Sequence, residues 1–263
     1  MEKLFFLILL FGSVNSYTQT DSIAETIPAS YLTVGAGIGL PLTPFNISAD
    51  AGAKPARGFL LNWAIPVKGP NLGLYFQFSH NIYNGNDSAF IYEQTSFANE
   101  NGLTGEFETS VPGNENWFAL SNFIAGIFYT QSIEKFSITV KIGGGFNSTY
   151  RNGSEVASYS DVINNYYQND FTVCRQEASV SKSFVLDMGF GTRYLISNKH
   201  RLYISLDADY LSTNGEFSYS SYSQALSNGM PGIYNHNDRI SFKMNAIAIN
   251  LGISFAIGKR SVK

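Results

Sequence analysis

The chain has 263 residues, enough for one large all-β domain, and its net charge of −3 gives no sign of a nucleic-acid partner. Charged residues make up only 14% against a usual ~25%, while aromatics reach 15%. Mean hydropathy near zero argues against a helical membrane protein, although short alternating strands cross a bilayer without any long apolar run.

The N-terminus reads as a secretory signal. Lys3 lies in a short charged region, and Leu4 to Phe11 is an apolar run too short for a membrane helix. Val14 and Ser16 are small enough for the positions that a signal peptidase reads, which predicts cleavage before Tyr17. Residues 1–16 are thus expected to be a signal peptide and 17–29 a periplasmic leader. Cys174 is the sole cysteine, so no internal disulfide forms, and without a local His partner no thiol chemistry follows.

Strands follow from apolar residues recurring every second position, which places them on one face. The first is Tyr31 to Leu42, with Leu32, Val34, Ala36, Ile38 and Leu40 in phase. A long loop, 43–57, precedes strand two at Gly58 to Val67. A tight turn of Lys, Gly, Pro and Asn leads to strand three, Leu72 to Ile82. Here Leu72, Leu74, Phe76 and Phe78 oppose Tyr75, Gln77 and Ser79. The loop 83–116 carries six carboxylates and no Lys or Arg, without spacing that suits calcium. Strand four, Trp117 to Gln131, is apolar on both faces, so its orientation stays open.

Strand five runs from Phe136 to Tyr150. Phe136, Ile138, Val140, Ile142 and Phe146 fall on one parity, while Ser137, Thr139, Lys141, Gly143, Gly145 and Asn147 fall on the other. After the loop 151–182, strand six is Ser183 to Ile196, with Asp187 and Arg193 on its polar face. Strand seven is Arg201 to Leu211: Ile204 and Leu206 oppose Asp207 and Asp209. After the loop 213–240, strand eight covers Ser241 to Ile257, with a parity slip, expected to be a bulge, near Asn245. Residues 259–263 form a short tail.

The connections alternate long and short along the whole chain. A soluble sandwich has no reason to sort its loops by length, whereas transmembrane barrels carry short turns on the periplasmic side and long loops outside. Each strand has about the ~9–11 residues that a tilted membrane strand needs. Carried by YLTVGAGIGLPL, FSITVKIGGGF, SFVLDMGFGTRYLI and INLGISFAIG, the chain resembles the eight-stranded outer-membrane β-barrel proteins of Gram-negative bacteria. It is most similar to the porin-family, OmpA-like barrels abundant in Bacteroidota. The resemblance implies a closed antiparallel eight-stranded transmembrane barrel over residues 30–258, insertion by the barrel-assembly machinery and a location in the outer membrane.

In such a barrel the greasy faces meet lipid and the polar faces fill the interior. Phe76, Ile138, Val140, Ile204, Leu206, Leu251 and Ile253 are the expected lipid-facing set. Lys141, Asp187, Arg193, Asp207, Asp209 and Lys243 are the expected interior network, with Arg193 paired to Asp207. Such a plug gives a structural or surface-interaction role through loops 43–57, 83–116, 151–182 and 213–240, toward an unidentified extracellular partner. A small-solute pore and a membrane-embedded enzyme of the lipid A-modifying or omptin-like kind are the alternatives. For the enzyme, Ser79 with His80 and His236 with Asp238 are the candidate residues, none at a diagnostic spacing. No catalytic set, cofactor or metal is expected, and the chain is expected to be a monomer.

Overall fold

A computed structural model describes residues 30–43, 45, 53–68, 71–85, 117–152, 154–160, 170–176, 179–197, 200–227 and 230–258. All ten regular elements among them are strands: β1 (Ser30–Leu42), β2 (Ala53–Lys68), β3 (Leu72–Gly85), β4 (Trp117–Ile133), β5 (Phe136–Arg151), β6 (Ser154–Ser160), β7 (Asp170–Gln176), β8 (Ser179–Ser197), β9 (Leu202–Ser227) and β10 (Met230–Ile257). The expected signal peptide, the leader, the C-terminal tail and most of the acidic loop lie outside the described residues.

Eight strands close a ring in the order β10, β1, β2, β3, β4, β5, β8, β9, with β9 returning to β10. The seam between β1 and β10 is antiparallel and unbroken, from Ser30↔Ile257 to Leu42↔Asn245. A closed ring leaves no open edge in its wall, which is the condition for a sheet to sit in hydrocarbon. Both ends of the described chain meet at the short-turn end. One of those turns is the Glu134-Lys135 pair between Ile133 and Phe136, with Glu134 in the left-handed region at φ 54°.

The wall is apolar outside and polar inside. Lys141 is 7% exposed and its neighbour Ile142 51%. The same reversal holds for Asp187 against Leu186 and Met188, and for Asn250 against Leu251. Among the described residues, outward-facing charges occur only toward the two ends. Arg57, Lys182, Glu216 and Lys243 are exposed at the loop end, and Glu134 and Lys135 at the turn end. Ring pairs mark both limits of the uncharged belt: Phe136 with Tyr194 at 4.9 Å, and Trp117 with Tyr150 at 5.1 Å. At about 3.3 Å per residue and a tilt of about 40°, the β5 segment from Phe136 to Tyr150 spans roughly 35 Å along the membrane normal. That matches an apolar band of about 25 Å plus two interfaces. A closed barrel with this inverted polarity is a transmembrane barrel.

Several boundaries differ from expectation. Strand β2 begins at Ala53, inside the expected loop 43–57. The expected loop 151–182 holds the hairpin of β6 and β7. The expected loop 213–240 is mostly strand, since β9 and β10 stay paired from Phe255↔Leu202 up to Met230↔Ser227. Beyond the membrane no lipid meets the wall, so the apolar alternation that marks a membrane strand is no longer required. No bulge occurs at Asn245, because both pairings of β10 hold one register through it. Strand β4 is apolar on both faces because Phe118, Leu120, Ile124 and Phe128 point inward and fill the lumen.

Ile142 occupies the middle of the belt on β5. Ile142→Arg is expected to cost about 2–4 kcal/mol of unfolding free energy in lipid vesicles, as a charge at the bilayer midplane does. A loss below about 1 kcal/mol would place this face in water.

Candidate functional site

The centre of the lumen is spanned by two neighbouring hydrogen-bonded groups drawn from four strands. Lys141 of β5 reaches across to Asp209 of β9, with Nζ 2.8 Å from Oδ1 and 3.0 Å from Oδ2. The same ammonium donates to Gln77 Oε1 of β3 at 2.7 Å, and Gln77 Nε2 donates to Asp209 Oδ2 at 3.1 Å. Tyr75, two residues before Gln77 on the same face, donates its hydroxyl to Asp187 Oδ2 of β8 at 2.6 Å. Lys141 lies 5.5 Å from the centre of the Tyr75 ring. Gly189 makes the crossing fit, since a Cβ there would collide with Asp209 Oδ1 and Lys141 Cε.

These groups are buried: Asp187 is 0% exposed and Asp209 1%. A buried charge costs several kcal/mol to desolvate and persists only with a partner and further hydrogen bonds. Asp209 has the Lys141 ammonium and the Gln77 amide, Asp187 has the Tyr75 hydroxyl, and these contacts tie β3, β5, β8 and β9 together through the lumen. Toward the loop end the polar filling continues. Asn147 donates to Asn122 at 2.7 Å, Asn122 to Ser79 at 3.1 Å, and Thr149 to Asn147 at 2.6 Å. Toward the turn end, Thr33 bonds Ser254 at 2.7 Å and Thr130 bonds Thr139 at 2.8 Å. Arg193 lies 4.6 Å over the Tyr31 ring. Side chains thus occupy the lumen at every level, as expected for eight strands.

Beyond the membrane the fold builds a second feature. Strand β8 pairs with β9 only up to Thr213, and β7 then takes its place along β9, from Gln176↔Tyr219 to Phe171↔Gln224. With β6 added, the order β10, β9, β7, β6 is a four-stranded sheet standing on the loop end of the barrel. Among the described residues β6 has a neighbour on one side only. Upper β10 is likewise paired on one side, because β1 leaves it at Asn245.

Lys141, Asp187, Arg193 and Asp209 are buried in the lumen and Asp207 is half-buried there. Lys243 is not an interior residue. With no bulge at Asn245, it keeps the outward parity of Asn245 and Ile247 and is exposed above the belt. The expected Arg193–Asp207 ion pair does not form. Register sets Arg193 opposite Ser205 and Asp207 opposite Gly191, so the guanidinium turns to Tyr31. Lys141 with Asp209 is the ion pair the lumen holds among the described residues. Of the expected lipid-facing set, Phe76, Val140, Ile204, Leu206, Leu251 and Ile253 are exposed on the outer wall, and Ile138 is half-buried there.

Adjacent residues of a strand point opposite ways, so Ser79 faces the lumen while His80 faces outward, bonded to Ser121 at 2.8 Å and tilted on Phe59. They form no catalytic pair. His236 and Asp238 share a parity on β10 above the membrane, and their side chains lie outside the described set. Among the described residues no group of three or more His, Cys, Asp or Glu is placed to hold a metal ion. Tyr75 and Gln77 were missing from the expected network. Their inward parity on strand three was the available signal, but neither carries a charge.

Lys141→Met leaves buried carboxylates without their cation and is expected to cost about 3–5 kcal/mol of barrel stability. Replacing Asp209 by Leu in the same protein is expected to restore part of that loss. Unfolding free energies of the two variants in vesicles measure this, and a double variant weaker than the single one would contradict the pairing.

No protein-family profile matches the chain, and no curated protein matches it significantly. Solved structures with a similar fold include Ail, the attachment invasion locus protein of Yersinia pestis, at 12% identity and a TM-score of 0.38, covering 87% of this chain and 99% of that one. Neisserial surface protein A matches at 11% identity and a TM-score of 0.42, covering 87% and 97%. The outer membrane protein OprG from Pseudomonas aeruginosa matches at 11% and 0.40, covering 89% and 99%. At such scores the likeness is one of architecture, it lends no support to a Bacteroidota affinity, and the reading of this chain rests on its own geometry: an eight-stranded antiparallel transmembrane barrel of the outer-membrane type.

Proposed function

We propose that this protein is exported through a cleaved signal peptide, inserted into the outer membrane by the barrel-assembly machinery, and acts at the cell surface through its extramembrane sheet. The observation that carries the reading is the asymmetry of the barrel. One end is closed by short turns, while the other continues β9 and β10 far past the membrane and adds β6 and β7 to them. The lumen is filled by the Lys141–Gln77–Asp209 and Tyr75–Asp187 contacts, which suits an anchor better than a conduit. A strand that is paired on one side among the described residues, such as β6, offers main-chain donors and acceptors to a partner's extended segment, which is a common mode of protein recognition. Binding of an envelope or extracellular partner at this sheet is the function the geometry supports best.

Deleting residues 154–176 removes β6 and β7 and leaves the eight wall strands intact. Cells with that deletion are expected to keep a heat-modifiable barrel in the outer membrane. They are also expected to lose the surface phenotype, such as adherence or aggregation, that separates wild-type cells from cells lacking the whole protein. Full retention of that phenotype would overturn the reading and return the barrel itself, as a pore, to first place.

A further inference from the structure

The outer wall of β1 to β5 carries a groove of about 640 Å³. Register places Leu32, Trp63, Phe76, Ala125 and Gly144 in one row across those five strands. At Ala125 and Gly144 the row drops almost to the backbone, which makes the floor. The next row up, Leu61, Phe78, Phe123 and Phe146, stands along one side. Phe78 and Phe123 lie against each other at 4.7 Å, and Phe146 is 76% exposed, the most of any large apolar side chain among the described residues. Past the last strand of the row, the Phe184 ring lies across Gly144, where a Cβ would come within 2.6 Å of it.

The row runs at right angles to strands tilted by about 40°, so the groove climbs the wall obliquely. It starts two residues into β1 and ends at Gly144, eight residues above Phe136 on β5. That difference of six residues, at about 3.3 Å each and the same tilt, is a rise of about 15 Å. One leaflet takes half of the ~30 Å hydrocarbon core, the same depth. The groove therefore lies in the leaflet on the turn side and reaches up to the midplane. Its foot is marked by Ser30 and Ile257, whose carbonyl accepts from Ser30 Oγ at 3.2 Å. Next along the chain, the Gly258 carbonyl accepts from Arg201 Nη1 at 2.7 Å, which sets a half-buried guanidinium beside the foot. That bond uses one of its five N–H groups.

We propose that the groove is a binding site for one phospholipid of the turn-side leaflet, with an acyl chain along the floor and the phosphate at Arg201. The groove continues the lipid-facing belt, so hydrocarbon is what reaches it, and an unfilled groove forfeits dispersion contacts along its whole lining. A second barrel beside this one touches it along a line parallel to the membrane normal and leaves an oblique groove open. A flexible chain follows the slope, and the rings of Phe123 and Phe146 hold it from the side. The guanidinium matches a phosphate in charge and in donor geometry.

The test uses the Trp117→Phe barrel in detergent micelles, where Trp63 of the floor row is the remaining tryptophan. Phosphatidylglycerol brominated on its acyl chains is titrated against that fluorescence, and quenching is expected to saturate at about one lipid per barrel. Adding Ala125→Phe, which fills the floor, is expected to weaken this binding at least tenfold. Arg201→Gln is expected to weaken it about fivefold and to leave unchanged the binding of a brominated diacylglycerol, which has no phosphate. Native mass spectrometry of the unaltered protein, extracted from phosphatidylglycerol vesicles, depends on no variant and is expected to show one retained lipid. Quenching that grows with lipid content without saturating, equally with and without Ala125→Phe, would overturn the proposal. So would an unaltered protein that leaves the vesicles as a dimer without lipid, which would seat a second copy on this face.

Discussion

A backbone that enters hydrocarbon has no water to satisfy its amides and carbonyls, and the rest of this structure depends on how that constraint is met. The solution is closure: β10 pairs with β1 over the whole of β1 without a register shift. Once the ring is closed, the period-two alternation of a strand must sort residues between lipid and lumen. Ile142 faces out because Lys141 faces in, and the same choice repeats on every strand of the wall. Closure at eight strands also sets the lumen's width, so the inward side chains touch across it and must agree chemically.

That agreement is layered. Small hydroxyls bridge the wall at the turn end, the ion pair of Lys141 and Asp209 holds the centre, amides of Asn122 and Asn147 follow, and an apolar cluster closes the mouth. Placing the cation at mid-height links strands on opposite sides of the ring through Gln77 and Asp209. The wall alone joins only neighbours, so these cross-lumen contacts are what make the cylinder resist collapse or flattening. Above them the chain is free of the lipid constraint, and there β9 and β10 extend into a sheet with β7 and β6.

How much of this was legible follows the same division. Inside the membrane, alternation is forced, and the strands from Phe136 to Tyr150 and from Ser183 to Ile196 could be read from period two alone. Strand β4 blurred because Phe118, Leu120, Ile124 and Phe128 satisfy an apolar layer of the lumen, which no local pattern distinguishes from lipid. Lys243 was misplaced because an exposed charge above the belt looks like an interior charge when the end of the membrane is not marked in the sequence. The stretch 213–240 resembled a loop for the same reason: strands beyond the lipid need no alternation. The pairing of Lys141 with Asp209, rather than Arg193 with Asp207, depends on distances across the lumen that adjacency along the ring does not reveal.

The central claim is that the apolar faces meet lipid, and tryptophan depth tests it most directly. The chain has two Trp, and replacing Trp117 by Phe leaves Trp63, on the outer wall of β2 and 45% exposed, as the only reporter. In vesicles of lipids brominated on their acyl chains, its fluorescence is expected to be strongly quenched, and aqueous acrylamide is expected to have little effect. Strong quenching by acrylamide with none from the brominated chains would mean that this face meets water, and the inside-out barrel would be wrong.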